Sequence, residues 1–176
     1  MKKMLFLTFI VLTAFCNSCK KDNFDIDHPD VETFVKQLKD GTYNKYETND
    51  KGENLWLKMP KFSETHIPLL IALSKDTTHI KNFPVNPMSS RSPFPEGRSY
   101  FILGEGLLWI VDGIIKATAY TSLDPFLIDV SKNEAERYKG ITTREILKVQ
   151  EIYANWQKSN RALTGNPLEN SPYRWF

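Results

Sequence analysis

Ser99-Tyr-Phe-Ile-Leu-Gly-Glu-Gly-Leu-Leu-Trp-Ile-Val-Asp-Gly-Ile-Ile-Lys-Ala-Thr-Ala-Tyr120 is the longest apolar stretch beyond the amino terminus, and its reading decides the fold. Glu105 and Asp112 fall inside the run and Lys116 near its end. A spanning helix needs roughly 20 apolar residues in a row, so the stretch is too interrupted to cross a membrane. At 100° per residue it sorts into three stripes. Leu103, Leu107, Leu108, Ile110, Val111, Ile114 and Ile115 make a broad apolar face. Gly106, Gly113 and Ala117 make a small-residue stripe where another element can approach closely. Glu105, Asp112 and Lys116 make a narrow polar stripe, with Trp109 beside it. Ser99 has the chemistry of an N-cap. So much apolar surface on one helix predicts the central helix of a domain, covered on most sides.

The expected fold is mainly α: a single-domain helical bundle around a central helix over about residues 99–120, with long irregular loops. The alternative is α+β with one short strand pair. Upstream, Asp30 reads as the N-cap of a helix carrying Val31, Phe34, Val35 and Leu38, with Gly41 at C′. Residues 43–54 read as polar loop, and Leu55-Trp56-Leu57 as a short apolar patch ended by Pro60. A second helix is expected over 63–74, starting late because proline is tolerated only in the first turn. Its Leu69, Leu70, Ala72 and Leu73 are expected to face the core. Residues 83–97 carry Pro84, Pro87, Pro93 and Pro95, which preclude regular structure. Phe83, Met88 and Phe94 are expected to pack this loop.

Downstream, residues 125–130 fit either a helical turn or a short strand. Ser131 to Glu134 has capping-box spacing, and so does Thr142 to Glu145, with Ile141 and Ile146 as a hydrophobic staple. Ile146, Val149, Ile152, Tyr153 and Trp156 mark the last helix. The tail after it lacks periodicity but ends aromatic, which predicts that it docks.

The amino terminus reads as targeting sequence. Lys2 and Lys3 precede an apolar segment, Met4 to Phe15, too short for a stop-transfer helix. Ser18-Cys19 follows, and it resembles the lipobox of bacterial lipoproteins, in which the cysteine becomes the lipidated first residue. Cys16 and Asn17 depart from the usual aliphatic and small residues there. The expected organisation is a signal peptide over 1–18, a lipidated Cys19 with tether over 19–28, and one domain over 29–176. The alternative is an ordinary cleaved signal. Beyond Cys19 there is no cysteine, so no disulfide or thiolate metal site forms within that part. Basic residues number 23 and acidic residues 21, and removing Lys2 and Lys3 balances them. No basic excess points to nucleic acid.

The segments HPDVETFVKQLKDGTY, FSETHIPLLIALSKDT, FPVNPMSS, LGEGLLWIVDGI and SLDP occur in this order. Together they resemble a family of small uncharacterised Bacteroidetes lipoproteins. The resemblance implies an outer-membrane lipoprotein facing periplasm or cell surface, held to the bilayer through acylated Cys19. It implies little chemistry.

Chemical motifs are sparse. The chain has no HExxH, no phosphate-binding GxxxxGK[ST] and no GxSxG. Gly104-Glu105-Gly106 lacks a third glycine and lies inside the predicted helix. Asp76 and His79 are two potential metal ligands on a polar loop, too few for a site. No cofactor is expected. Glu105 and Asp112 are the acid–base candidates, about 10 Å apart along one helix face at 1.5 Å rise per residue. That separation is within reach of an inverting glycosidase. Lys116, four residues after Asp112, favours an ordinary helix ion pair instead. Trp109, Lys116 and Arg98 are the candidate binding residues. Three functions follow. The first is a non-catalytic envelope binding module whose partner is an envelope protein or glycan. The second is a glycan- or peptidoglycan-active hydrolase using the carboxylate pair. The third is an immunity- or inhibitor-type protective lipoprotein.

Overall fold

In the computed structural model the central helix, α3 below, is shorter than its apolar run. The structure describes residues 24–176 except 91 and 161. Its elements in chain order are helix α1 (Val31–Asp40), strands β1 (Tyr46–Thr48) and β2 (Asn54–Leu57), and a 3-10 turn (Glu64–His66) leading into α2 (Ile67–Leu73). There follow β3 (His79–Ile80), β4 (Phe101–Ile102), α3 (Leu103–Ile115), β5 (Leu127–Asp129), α4 (Glu134–Arg137), α5 (Thr143–Ser159) and β6 (Tyr173–Trp175). The strands form three two-stranded antiparallel sheets, β1–β2, β3–β4 and β5–β6. The mainly α bundle therefore gives way to the α+β alternative, with three strand pairs among the described residues where one was expected.

The central position of α3 is as expected. Every residue from Leu103 to Gly113 is buried. α1, α2 and α5 pack around it. Leu107, Leu108 and Val111 are wholly enclosed, and each such side chain contributes about 1.5–3 kcal/mol on burial. Its ends differ from the reading of the sequence. Phe101 and Ile102 pair with Ile80 and His79 as β4, so Ser99 lies outside the helix and does not cap it. The first free N–H groups of α3 are met by backbone instead: Leu103 donates to the Thr78 carbonyl at 3.0 Å and Gly104 to that of Asp76 at 2.8 Å. At the other end Ala117 takes a left-handed conformation, φ 53°. Ala117 N–H then bonds Ile114 and Thr118 N–H bonds Gly113, a Schellman closure built without the usual glycine.

The flanking helices follow their caps. The Asp30 side chain accepts from Thr33 N–H at 2.7 Å, and Gly41 closes α1 at φ 68°. The reciprocal Thr142–Glu145 box starts α5, with Ile141 and Ile146 buried beneath it. α4 is capped by Asn133, whose side chain accepts from Glu136 N–H, rather than by Ser131. In α2 the buried face is Ile67, Leu70 and Ile71, one position round from the expected face, and Leu69 is exposed. The proline-rich loop packs through Phe83 and Phe94 against Phe101, whereas Met88 is exposed. Residues 125–130 resolve as strand, because β6 from the tail pairs with β5 in the register Leu127↔Trp175 and Asp129↔Tyr173.

Residues 24–28, expected as tether, take part in the core. Phe24 is buried against the rings of Phe34 and Tyr43, and the Ile26 carbonyl accepts from Lys61 N–H at 2.9 Å.

Candidate functional site

The polar stripe of α3 is where the sequence places charge in an apolar helix. Glu105 is fully buried. One carboxylate oxygen accepts from Arg98 Nη2 at 2.8 Å, and the other from the Leu127 backbone N–H at 2.8 Å. The carboxylate thus ties the approach to α3 and strand β5 to the central helix. Burial pushes the Glu105 carboxyl above its ordinary range, against the Arg98 charge and the Leu127 N–H, which both lower it. The Arg98 side chain is itself buried, and it lies over the Tyr100 ring at 5.8 Å.

Asp112 is equally enclosed and makes a second network. Its Oδ1 accepts from the Tyr153 hydroxyl of α5 at 2.9 Å, and its Oδ2 from Thr121 at 2.9 Å. Lys116 Nζ sits 2.7 Å from the same Oδ2. The indole N–H of Trp175 in turn donates to the Tyr153 hydroxyl at 3.3 Å. Burial, with the Asp112 charge beside it, raises the Tyr153 pKa well above that of a free phenol, so the hydroxyl remains a donor. Every carboxylate oxygen of the two candidate acid–base residues is thus engaged by the protein itself, and neither faces solvent. The ion pair at i, i+4 between Asp112 and Lys116 is the ordinary reading realised.

Trp109 does not wall a groove. It has no exposed surface, packs against Phe83 and Tyr120, and donates from its indole N–H to Ser122 Oγ at 2.7 Å. Asp76 pairs with Lys39 at 2.6 Å and binds Thr78, while His79 stacks on Tyr100 at 3.8 Å. Both are engaged elsewhere. Among the described residues no three metal-ligating side chains converge. Cys19, and Arg91 in the proline-rich loop, lie outside the described residues.

A concave surface rich in polar side chains lies elsewhere. The last turns of α5 and the loop after it enclose a groove of about 370 Å³ lined by Ile152, Trp156, Asn160, Asn166, Asn170 and Ser171, among others. The loop is held by its own side chains. The Asn160 amide donates to the Thr164 carbonyl, and the Asn166 side chain accepts from Leu168 N–H at 2.9 Å. Leu168 is buried as an anchor. Arg174 of β6 then donates from Nη1 to the carbonyls of Leu168 at 2.9 Å and Ser171 at 2.7 Å. Gly165, at φ 88°, allows the chain to reverse. The result is a half-buried indole sharing a groove with carboxamides, hydroxyls and the Glu169 carboxylate.

Residues 25–176 match a sequence family described as a domain of unknown function, DUF4943. The chain belongs to the DUF4943 family. The ordered motifs of the sequence fall within that span, so the family resemblance holds at the level of a domain of unknown function. No curated protein and no solved structure matches the chain.

Within this DUF4943 domain no described helix is long and apolar enough to cross a membrane. The apolar stripe that marks α5 includes Trp156, which packs against the core as that spacing implies and also borders the groove. The available signal was the density of asparagine in residues 160–170 beside an aromatic helix end.

Proposed function

We propose that this DUF4943 protein is a lipid-anchored protein of the bacterial cell envelope that binds a glycan in the Trp156 groove without transforming it. The anchoring half rests on the sequence: Lys2 and Lys3, the apolar segment to Phe15, and Ser18-Cys19. The order of motifs, similar to that of small Bacteroidetes lipoproteins, supports an outer-membrane location facing periplasm or cell surface. Two or more acyl chains on Cys19 make attachment stable, where one alone is marginal. Cys19→Ala releases the domain from the membrane or leaves the precursor uncleaved. Membrane fractionation, with the intact mass of wild type, checks this, and unacylated protein in the periplasmic wash overturns it.

The binding half is carried by one observation, the pairing of Trp156 with Asn160, Asn166 and Asn170 around a single concavity. An indole offers a flat apolar face to the C–H side of a sugar ring. The loop bonds use the Asn160 NH₂ group and the Asn166 oxygen, which leaves the Asn160 oxygen to accept from a sugar hydroxyl and the Asn166 NH₂ group to donate to one. The engagement of Glu105 and Asp112 by internal partners supports binding over hydrolysis. Trp156→Ala is expected to weaken retention on purified peptidoglycan sacculi at least about tenfold, or ~1.4 kcal/mol. Because Trp156 also packs against the core, the variant melts lower, and retention is compared at a temperature well below both melting transitions. Equal retention of variant and wild type, or release of soluble sugar from the sacculi, overturns this reading.

A further inference from the structure

The β1–β2 hairpin leaves three large apolar side chains partly exposed at the surface. Tyr46 is 37 % exposed, Leu55 47 % and Trp56 37 %. Tyr46 stands opposite Leu57 and Thr48 opposite Asn54, with an irregularity in the register between the two pairs. Leu55 and Trp56 are the two residues of β2 that lie between those pairs. Leu57 of the hairpin packs against the core, while Tyr46, Leu55 and Trp56 around it stay more than a third exposed.

Its position relative to the anchor identifies the occupant. The base of the hairpin is the point where the described chain begins. Tyr43, just before β1, packs edge-on against Phe24 and donates to the carbonyl of Lys58, just after β2, at 2.6 Å. Lys61 binds Ile26 through its backbone and Asp27 through its ammonium at 2.7 Å. From Phe24 back to Cys19 is five residues, which reach at most about 18 Å even when fully extended. An acylated Cys19 sits at the bilayer surface, so the corner carrying the hairpin is held within that distance of lipid headgroups. Trp56 lies two residues from Lys58 and therefore close to this corner.

We infer that the β1–β2 hairpin is a membrane-docking element whose Tyr46, Leu55 and Trp56 enter the headgroup region of the bilayer that holds the Cys19 lipid. The inference rests on the anchoring reading above. Tyr and Trp suit that region because one end is apolar and the other forms hydrogen bonds. Charge does not drive the contact. Lys45, Lys51 and Lys58 are balanced by Glu47, Asp50 and Glu53, and Lys58 pairs with Glu47 at 3.2 Å. Docking is therefore indifferent to salt and to anionic lipid, unlike that of a polybasic segment. The anchor supplies affinity and the hairpin supplies orientation, which points the rest of the domain away from the membrane in one attitude.

The test uses the full mature protein reconstituted in phosphatidylcholine vesicles, with and without bromine on the acyl chains near the headgroup. Brominated lipid is expected to quench part of the wild-type tryptophan emission. That part disappears in Trp56→Phe, which keeps the fold and its melting temperature. The quenching persists at high salt. Intact mass is read on the same samples. Acylated, vesicle-bound protein whose quenching is identical in wild type and Trp56→Phe overturns the docking surface and leaves the anchor standing; a solvent-facing or protein-binding hairpin gives that result. Protein with no acyl mass overturns the anchor and the docking surface together.

Discussion

Gly104→Ala lowers stability by about 3 kcal/mol or more, which for a chain of this size is a fall in melting temperature of roughly 6–12 °C. A Cβ on Gly104 would stand 2.0 Å from the Ser74 carbonyl oxygen and 3.0 Å from that of Asp76. Both obstacles are backbone, so no rotamer change relieves them. The oxygen of Ser74 ends α2, and Ser74 is itself fully buried with its hydroxyl on the Ile71 carbonyl. To make room, α3 must withdraw from α2, and the Gly104 N–H to Asp76 bond and the β3–β4 pair go with it. The helix then loses the backbone carbonyls that take the place of its N-cap. Gly106→Ala meets the Phe83 ring at 2.7 Å, a side chain that can turn, and its loss is smaller. Gly113→Ala meets only the Thr118 carbonyl at 3.0 Å, within the closing turn, and is smaller still. Urea midpoints of the three variants check the order, and a Gly104→Ala protein as stable as wild type refutes the account.

The glycine that matters most was the one passed over as part of an incomplete Gly-x-Gly. Helical spacing puts Gly106, Gly113 and Ala117 on one stripe, and Phe83 does approach closely at Gly106, but the spacing says nothing of the α2 backbone that comes in at Gly104. The same limit explains the strands. β3 and β4 have two residues each, too few to show a period of two, and their pairing joins segments some twenty residues apart. β5 forms because the carboxy-terminal tail lies beside it, a long-range event with no local signature. α1 and α5, by contrast, carry their caps and apolar stripe within one window, and both were legible. β1 lies in the stretch read as polar loop and β2 largely in the Leu55–Leu57 apolar patch; strands of three and four residues with mixed exposure carry no alternation to mark them. At the site, a charge inside an apolar helix demanded a partner, so Arg98 was foreseeable from sequence. The Leu127 N–H was not, since nothing local places β5 beside α3.

Glu105→Gln is expected to cost about 3 kcal/mol at neutral pH, because it leaves a buried donor without an acceptor. The carboxylate offers two acceptor oxygens, and both are in use, by Arg98 Nη2 and by Leu127 N–H. A glutamine offers one oxygen and one NH₂ group. Whichever way the amide turns, the NH₂ meets a donor. The Arg98 guanidinium is already poorly supplied: its Nε and Nη1 are buried and have no hydrogen-bond partner among the described residues. Removing its carboxylate leaves a buried cation beside the Tyr100 ring without its counter-charge. Arg98→Met is the milder change. The isolated Glu105 can take up a proton, and burial already holds its pKa above 4.5. The sign of the pH dependence follows from that direction. A carboxyl whose folded pKa is raised contributes its stability fully below its unfolded pKa and loses it as pH rises through the folded value. Wild type should therefore lose stability on going upward from about pH 4.5 by an amount that Glu105→Gln does not lose. Arg98→Met, without the charge that holds the pKa down, loses more and over a higher pH range. Thermal melts of the three proteins across that range separate a structural carboxylate from a catalytic one. A catalytic Glu105 would give an unchanged melt on conversion to glutamine, because a group kept free for substrate has no internal partner to lose.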